Sequence, residues 1–306
     1  MPKQWNLPTA QMKREKIMTD IPASLVKELR ERTGVGMMDC KKALQECNGD
    51  MEASVDRLRQ KGLSKAARKA GRATSEGVIA SYAAPDSSAA ALVEVKCETD
   101  FVSRGEIFQA FAKNVVKTVY DKKPATNADL AALLGNAVDE QIAALGENMS
   151  VGRHANMAVS GFGVIGWYVH SNGKIGVLVE VNCGKAATAT NAKFLELARN
   201  VAMQIAAASP VALDQAGLDP AVIELERQIY RQNTLDEGRN PAMIDKIVDG
   251  RIRKFYQEVC LLEQAYIRDD SMTVTALLAE QGKALGDTLG VAKFVRFQLG
   301  EDVPQE

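Results

Sequence analysis

The sequence repeats itself at a fixed offset, and that repeat constrains the fold more than any other feature. Gly77, Val78, Ile79 and Tyr82 recur as Gly163, Val164, Ile165 and Tyr168. Val93-Glu94-Val95 and Cys97 recur as Val179-Glu180-Val181 and Cys183, and Phe108, Ala112, Asn114 and Val115 as Phe194, Ala198, Asn200 and Val201. Every pair lies 86 positions apart (163 − 77 = 86), with no gap between Gly77 and Val115. Chance does not hold one register so long, so the chain carries two copies of one unit. Each copy reads as strand, turn, strand and helix, which predicts two α+β subdomains packed together.

The copies part company after the second strand. Cys97 is followed by Glu98-Thr99-Asp100-Phe101-Val102, whereas Cys183 is followed by Gly184-Lys185-Ala186-Ala187. Small residues evidently suffice at this point of the unit, so Asp100 and Phe101 are not required for folding alone. An acid beside an aromatic at a loop tip is the composition of a protruding anchor: the ring fills a pocket and the acid brings charge. The structural alternative is that Phe101 tucks into its own subdomain while Asp100 caps the helix leading to Phe108.

At 306 residues the chain is long enough for a sizeable core and several compact units. Its net charge of −1 argues against a protein that coats nucleic acid, which would carry a basic excess. No apolar run is long enough to span a bilayer. Five cysteines, none spaced C-x-x-C, and two histidines make a structural zinc site improbable, so reduced thiols in a cytosol are expected. Residues 1–20 lack the apolar centre of a signal peptide and read as a disordered N-terminal extension, with Met18 an alternative start. A cytoplasmic location follows as the expectation.

Residues 21–60 read as three short helices. Leu25, Val26 and Leu29 share one face, Met37, Cys40, Leu44 and Cys47 step at helical spacing, and Met51, Val55 and Leu58 make a third stripe. Residues 61–75 hold Lys61, Lys65, Arg68, Lys69 and Arg72 without an acid. No aromatic interleaves these cations, so the segment reads as a solvated helical linker rather than a nucleic-acid-binding arm. The two core subdomains are assigned to residues 76–150 and 151–217.

In residues 218–262, Val222, Leu225 and Ile229 form one helical stripe and Val248, Ile252, Phe255 and Val259 another, on either side of "NTLDEGRNP". This is an antiparallel helical hairpin, inserted before the chain returns to the core, and it is expected to project. Residues 263–306 make that return, with Val295, Phe297 and Leu299 alternating in a last strand. The fold class is therefore α+β, with a small N-terminal helical domain, two repeated core subdomains and an inserted hairpin.

One motif tempts and fails. "GFGVIG", Gly161 to Gly166, has the spacing of a dinucleotide-binding loop, but "WYVH" follows where a helix must start, and the repeat partner keeps one glycine only. The sequence has no phosphate-binding G-x-x-x-x-G-K-[ST], no G-x-S-x-G and no H-E-x-x-H. No catalytic or metal-ligating set emerges, and no cofactor is expected.

"LRERTGVGMMDCKKAL" (Leu29 to Leu44), "EVKCETDFVSR" (Glu94 to Arg104) and "GRIRKFYQEVCLLEQ" (Gly250 to Gln264) resemble the translation elongation factor Ts family, from roughly Ile21 to Gly300. The resemblance implies a ubiquitin-associated-like first domain and a hairpin able to serve homodimerisation. It also implies a nucleotide exchange factor, not an enzyme, for the GTPase elongation factor Tu. Thr99, Asp100, Phe101 and Val102 would form the anchor, with Phe101 wedged between helices of the partner and Asp100 disturbing its Mg²⁺ shell. Arg30, Met37 and Met38 would touch the same partner domain. Helical spacing places Met37 in the domain core, which makes Met38 the better contact. Gln204 would contact the partner from the second subdomain, where some members carry histidine. A rival reading is a helical-domain adaptor that dimerises through the hairpin and binds RNA through residues 61–75.

Overall fold

The computed structural model describes residues 21–33 and 35–301; residues 1–20, read above as an extension, lie outside them. The described residues open with three helices, α1 (Ala23–Thr33), α2 (Met37–Glu46) and α3 (Met51–Lys69). Their stripes meet in a small core of Val26, Leu29, Cys40, Leu44 and Leu58. Asp50 caps α3 by accepting the Ala53 N–H at 2.9 Å.

The first copy of the repeat comprises β1 (Glu76–Ala83), β2 (Ala89–Cys97), α4 (Asp100–Arg104) and α5 (Glu106–Lys122), then α6 (Asn127–Leu134), α7 (Ala137–Leu145) and β3 (Met149–Ala158). The second has β4 (Gly163–Val169), β5 (Ile175–Cys183), α8 (Ala186–Ala189) and α9 (Ala192–Ala208). The hairpin follows as α10 (Pro220–Asp236) and α11 (Ile244–Val259), and after it come β6 (Ala265–Tyr266), β7 (Asp269–Thr273), α12 (Val274–Leu285) and β8 (Leu289–Gln298).

Two boundaries differ from the sequence reading. α3 does not end near residue 60 but continues to Lys69, so the expected linker is largely the second half of a helix packed on α7. A Cβ on Gly62 would lie 3.1 Å from the Ala143 Cβ, which makes this glycine a helix crossing point rather than a break. Residues 151–158 do not open the second subdomain, because β3 pairs antiparallel with β2 and completes the first sheet. β3 is an edge strand in which Met149, Val151, Ala155 and Met157 alternate with polar or small residues, but Arg153 interrupts the alternation and the pattern does not say which sheet the strand joins.

Each half is a three-stranded antiparallel sheet, β1-β2-β3 and β4-β5-β8. Met149 pairs with Cys97 and Leu289 with Cys183, so the third strands correspond at an offset of 140 (289 − 149 = 140). The hairpin is spliced into the second copy, which hides this strand from any search at a fixed offset of 86.

The packing has four layers. Val93, Val95 and Cys97 of β2 meet Phe108, Ala112 and Val115 of α5, and the equivalent residues of β5 meet α9. Ile79 and Leu92 from one sheet face Ile165, Leu178 and Phe297 from the other. The middle strands are thus covered on both faces. The halves also grip each other reciprocally: the Ile79 N–H donates to the Gly173 carbonyl at 2.7 Å, and the Ile165 N–H to the Ser87 carbonyl at 2.7 Å. Each hairpin turn therefore lies over the other half's first strand. The repeated glycines have a physical cause, since a Cβ on Gly77 or Gly163 would stand 2.2 or 2.5 Å from the carbonyl of Val95 or Val181.

The hairpin has its own core of Tyr230, Ile244, Val248, Ile252 and Tyr256, flanked by Arg227–Asp249 and Arg251–Glu237 ion pairs. The expected seam on α10 is corrected. Val222, Leu225 and Ile229 are exposed, and the inward face uses Ile223, Tyr230 and Thr234 instead.

Candidate functional site

The β2–α5 connection forms a short tip. Thr99 is the N-cap of α4: its backbone is extended and its hydroxyl accepts the Val102 N–H at 3.4 Å. Val102 turns back onto the first subdomain's core, and Ser103 is buried with its hydroxyl donating to the Asp100 carbonyl at 3.0 Å. The Gln109 amide donates to the Ser103 carbonyl at 2.6 Å and anchors the far side. With its neighbours turned inward, Phe101 is left 87% exposed. Asp100 neither caps α5 nor sits buried, but pairs with Arg104 at 3.0 Å on the surface. Thr99 and Val102, grouped with the anchor from sequence, thus support it from below, while Asp100 and Phe101 form its outer face.

A cleft of about 860 Å³ opens beside the tip, lined by Asp100, Arg104, Gln109, Lys113, His170 and Lys174 among others. Its counterpart in the second half is only about 200 Å³. There Trp167 and Leu195 occupy the places of Ser81 and Gln109 (167 − 81 = 86; 195 − 109 = 86). The same unit therefore carries an open polar cleft beside the acid–aromatic tip in one copy, and a small, more apolar one lined by Trp167 and Leu195 in the other. His170 carries no sequence signal for this position, because only the packing of the β4–β5 turn over β1 brings it to the cleft.

The remaining sequence candidates divide. Arg30, Met37 and Met38 all lie on the surface. Met37, expected inside by its spacing, is 55% exposed at the first position of α2, and Met38 is 78% exposed. Gln204 is corrected: it is 0% exposed and cannot reach a partner from this position. Its amide nitrogen donates to Gln264 Oε1 at 3.2 Å and the Ala265 carbonyl at 3.1 Å, and its oxygen accepts the Ile267 N–H at 2.8 Å. It locks the β6–β7 segment to α9.

Several cations of the basic segment already have protein partners. Lys61 pairs with Glu46 at 2.9 Å, Arg72 with Glu98 at 3.4 Å, and Lys69 donates to the Gly146 carbonyl. Gly163, inside the dinucleotide-like stretch, starts the strand β4, so no helix follows it. Burial pushes the thiols of Cys97 and Cys260 up to about 11, which removes thiolate chemistry at these positions near neutral pH. Among the described residues there is no group of three or more side chains placed to hold a metal ion, and no helix long and apolar enough to cross a membrane.

Two α+β copies in a shared core, with an exposed acid–aromatic tip on one of them, define a class of doubled scaffold that presents a protruding anchor. Comparison with known proteins gives that class a family. The sequence model of the family described as Elongation factor TS matches residues 98–301. The elongation factor Ts of Nitratidesulfovibrio vulgaris (strain DP4) is 57% identical over 286 residues, covering 94% of this chain and 98% of the relative. That of Desulfovibrio desulfuricans is 52% identical over 93% of this chain and 100% of the relative, and that of Lawsonia intracellularis 49% over 92% and 99%. The chain belongs to the elongation factor Ts family of translation elongation factors.

Proposed function

We propose that this chain accelerates GDP release from elongation factor Tu by pressing the Asp100–Phe101 tip into that GTPase's nucleotide-binding domain. The observation that carries the reading is the 87% exposure of Phe101 in a unit whose second copy has no such residue. Burying a phenylalanine side chain against a partner is worth about 1.5–3 kcal/mol. Freeing Asp100 from Arg104 costs little, because an exposed ion pair four residues apart on a helix is worth only about 0.3–0.5 kcal/mol.

Mg²⁺ and backbone N–H groups hold a bound nucleotide's phosphates, so a carboxylate brought against the metal's shell weakens the largest charge-stabilising contacts. No covalent step belongs to this reading. Arg30, Met37 and Met38 supply a second contact from the helical domain. The exposed α10 stripe of Val222, Leu225 and Ile229 is the surface on which two copies of the chain would pair.

Linkage makes the test quantitative: if the bound factor weakens GDP, GDP weakens the factor by the same ratio. GDP affinity of elongation factor Tu, measured by calorimetry with and without saturating factor, should fall by at least roughly tenfold, which is about 1.4 kcal/mol. An unchanged affinity, with the two proteins shown to bind, would reject the reading.

A further inference from the structure

The turn Gly146-Glu147-Asn148, between α7 and β3, ties three parts of the molecule together. Lys69, at the end of α3, donates to the Gly146 carbonyl. The Glu147 carboxylate accepts the Thr99 N–H at 3.0 Å through one oxygen and the Thr99 hydroxyl at 2.6 Å through the other. Asn148, itself buried, gives its N–H to Glu98 at 2.6 Å and its amide to the Arg72 carbonyl at 2.7 Å. Both residues before the tip are thereby held, and held to the segment that leads out of the N-terminal helices.

The second copy contains the matching device. Asp287, in the turn between α12 and β8, accepts the Gly184 N–H at 3.1 Å, the Lys185 N–H at 3.0 Å and the Thr188 hydroxyl at 2.6 Å. Lys185 is the repeat counterpart of Thr99 (185 − 99 = 86). In each half, then, a carboxylate just ahead of the third strand fixes the strand-to-helix turn. Only in the first half does that turn carry an acid and an aromatic, and only there does the same turn reach back to α3.

We propose that Glu147 is a positioning residue for nucleotide exchange, fixing the backbone from which Asp100 and Phe101 project. This rests on the exchange reading above. The physical reason is local. α4 spans five residues, and its N-cap bond from the Val102 N–H is long at 3.4 Å, so the helix start cannot hold itself. Of the two bonds to the carboxylate the hydroxyl's is short at 2.6 Å and the N–H's is of ordinary length at 3.0 Å, and together they fix both the Thr99 backbone and the rotamer whose oxygen receives the Val102 N–H.

The test follows GDP release from elongation factor Tu as a function of factor concentration, for wild type, Glu147→Gln, Asp287→Asn and Phe101→Ala, with amide hydrogen exchange over residues 98–104 alongside. Glu147→Gln should lower the release rate at saturation roughly tenfold and speed amide exchange at Thr99 and Val102, since small displacements of a working group cost rate steeply. Asp287→Asn should stay within about twofold of wild type while loosening its own turn. Wild-type release by Glu147→Gln beside slow release by Phe101→Ala would overturn the positioning role and leave the tip standing. Equal slowing by Glu147→Gln and Asp287→Asn would reduce Glu147 to general stability. Unimpaired release by Phe101→Ala would sink the tip reading and this role with it.

Discussion

Phe101 and Gln204 show how differently two neighbourhoods treat a candidate contact residue. Phe101 makes so little use of its own subdomain that Phe101→Ala should change unfolding free energy by less than about 0.5 kcal/mol in a urea titration. Gln204→Ala should destabilise by roughly 2–3 kcal/mol, because Gln264 and the Ile267 N–H lose their partner inside the core. Phe101 was readable from sequence because the second copy supplied a comparison. Gln204 also left a signal: it sits three positions after Val201 and one before Ile205, on the face α9 buries. Its partners, some sixty residues along the chain, were not readable.

A buried acid makes the pH prediction at the same scale. Burial drives the Glu180 carboxyl upward, but the Ser160 hydroxyl and N–H and the Lys293 ammonium outweigh it and leave the pKa below the usual glutamate value. A pKa lowered by folding gives stability that is complete above the unfolded value and is lost as pH falls through the folded one. Urea midpoints should be flat above about pH 5 and drop towards pH 3, and Glu180→Gln should remove part of that slope.

Among elements, the hairpin was legible and its orientation was not. The break at "NTLDEGRNP" and the two stripes fixed its existence, but Val222-Leu225-Ile229 and Ile223-Tyr230-Thr234 are both helical faces, displaced by about one residue. Which one turns inward is decided by Val248 and Ile252 across the hairpin and by the base where Ile223 meets Cys260. The exposed stripe gives a clean test. Leu225→Glu and Ile229→Glu should leave thermal stability nearly unchanged and abolish self-association in sedimentation equilibrium, whereas a stable dimer in both variants would place the pairing elsewhere. β3 illustrates a different limit: Met149, Val151, Ala155 and Met157 alternate as a strand should, but the pattern does not say which sheet the strand joins, and only its register against β2 assigns it to the first half.

At the scale of the molecule, duplication separates stability from function. The two sheet–helix layers and the reciprocal turns build the core twice over, and each device recurs on both sides. The tip and the open cleft beside it break that symmetry, and they lie together on one copy. A function carried by the scaffold as a whole would have no reason to appear on one half only. On the proposed function, exchange resides in Asp100 and Phe101. The direct measurement is stopped-flow release of a fluorescent GDP from elongation factor Tu in excess unlabelled GDP, with wild type, Asp100→Ala and Phe101→Ala compared at saturating factor. Fast release by wild type, slowed roughly ten- to a hundredfold in each folded variant, is the predicted result. Release by both variants at the wild-type rate would contradict it.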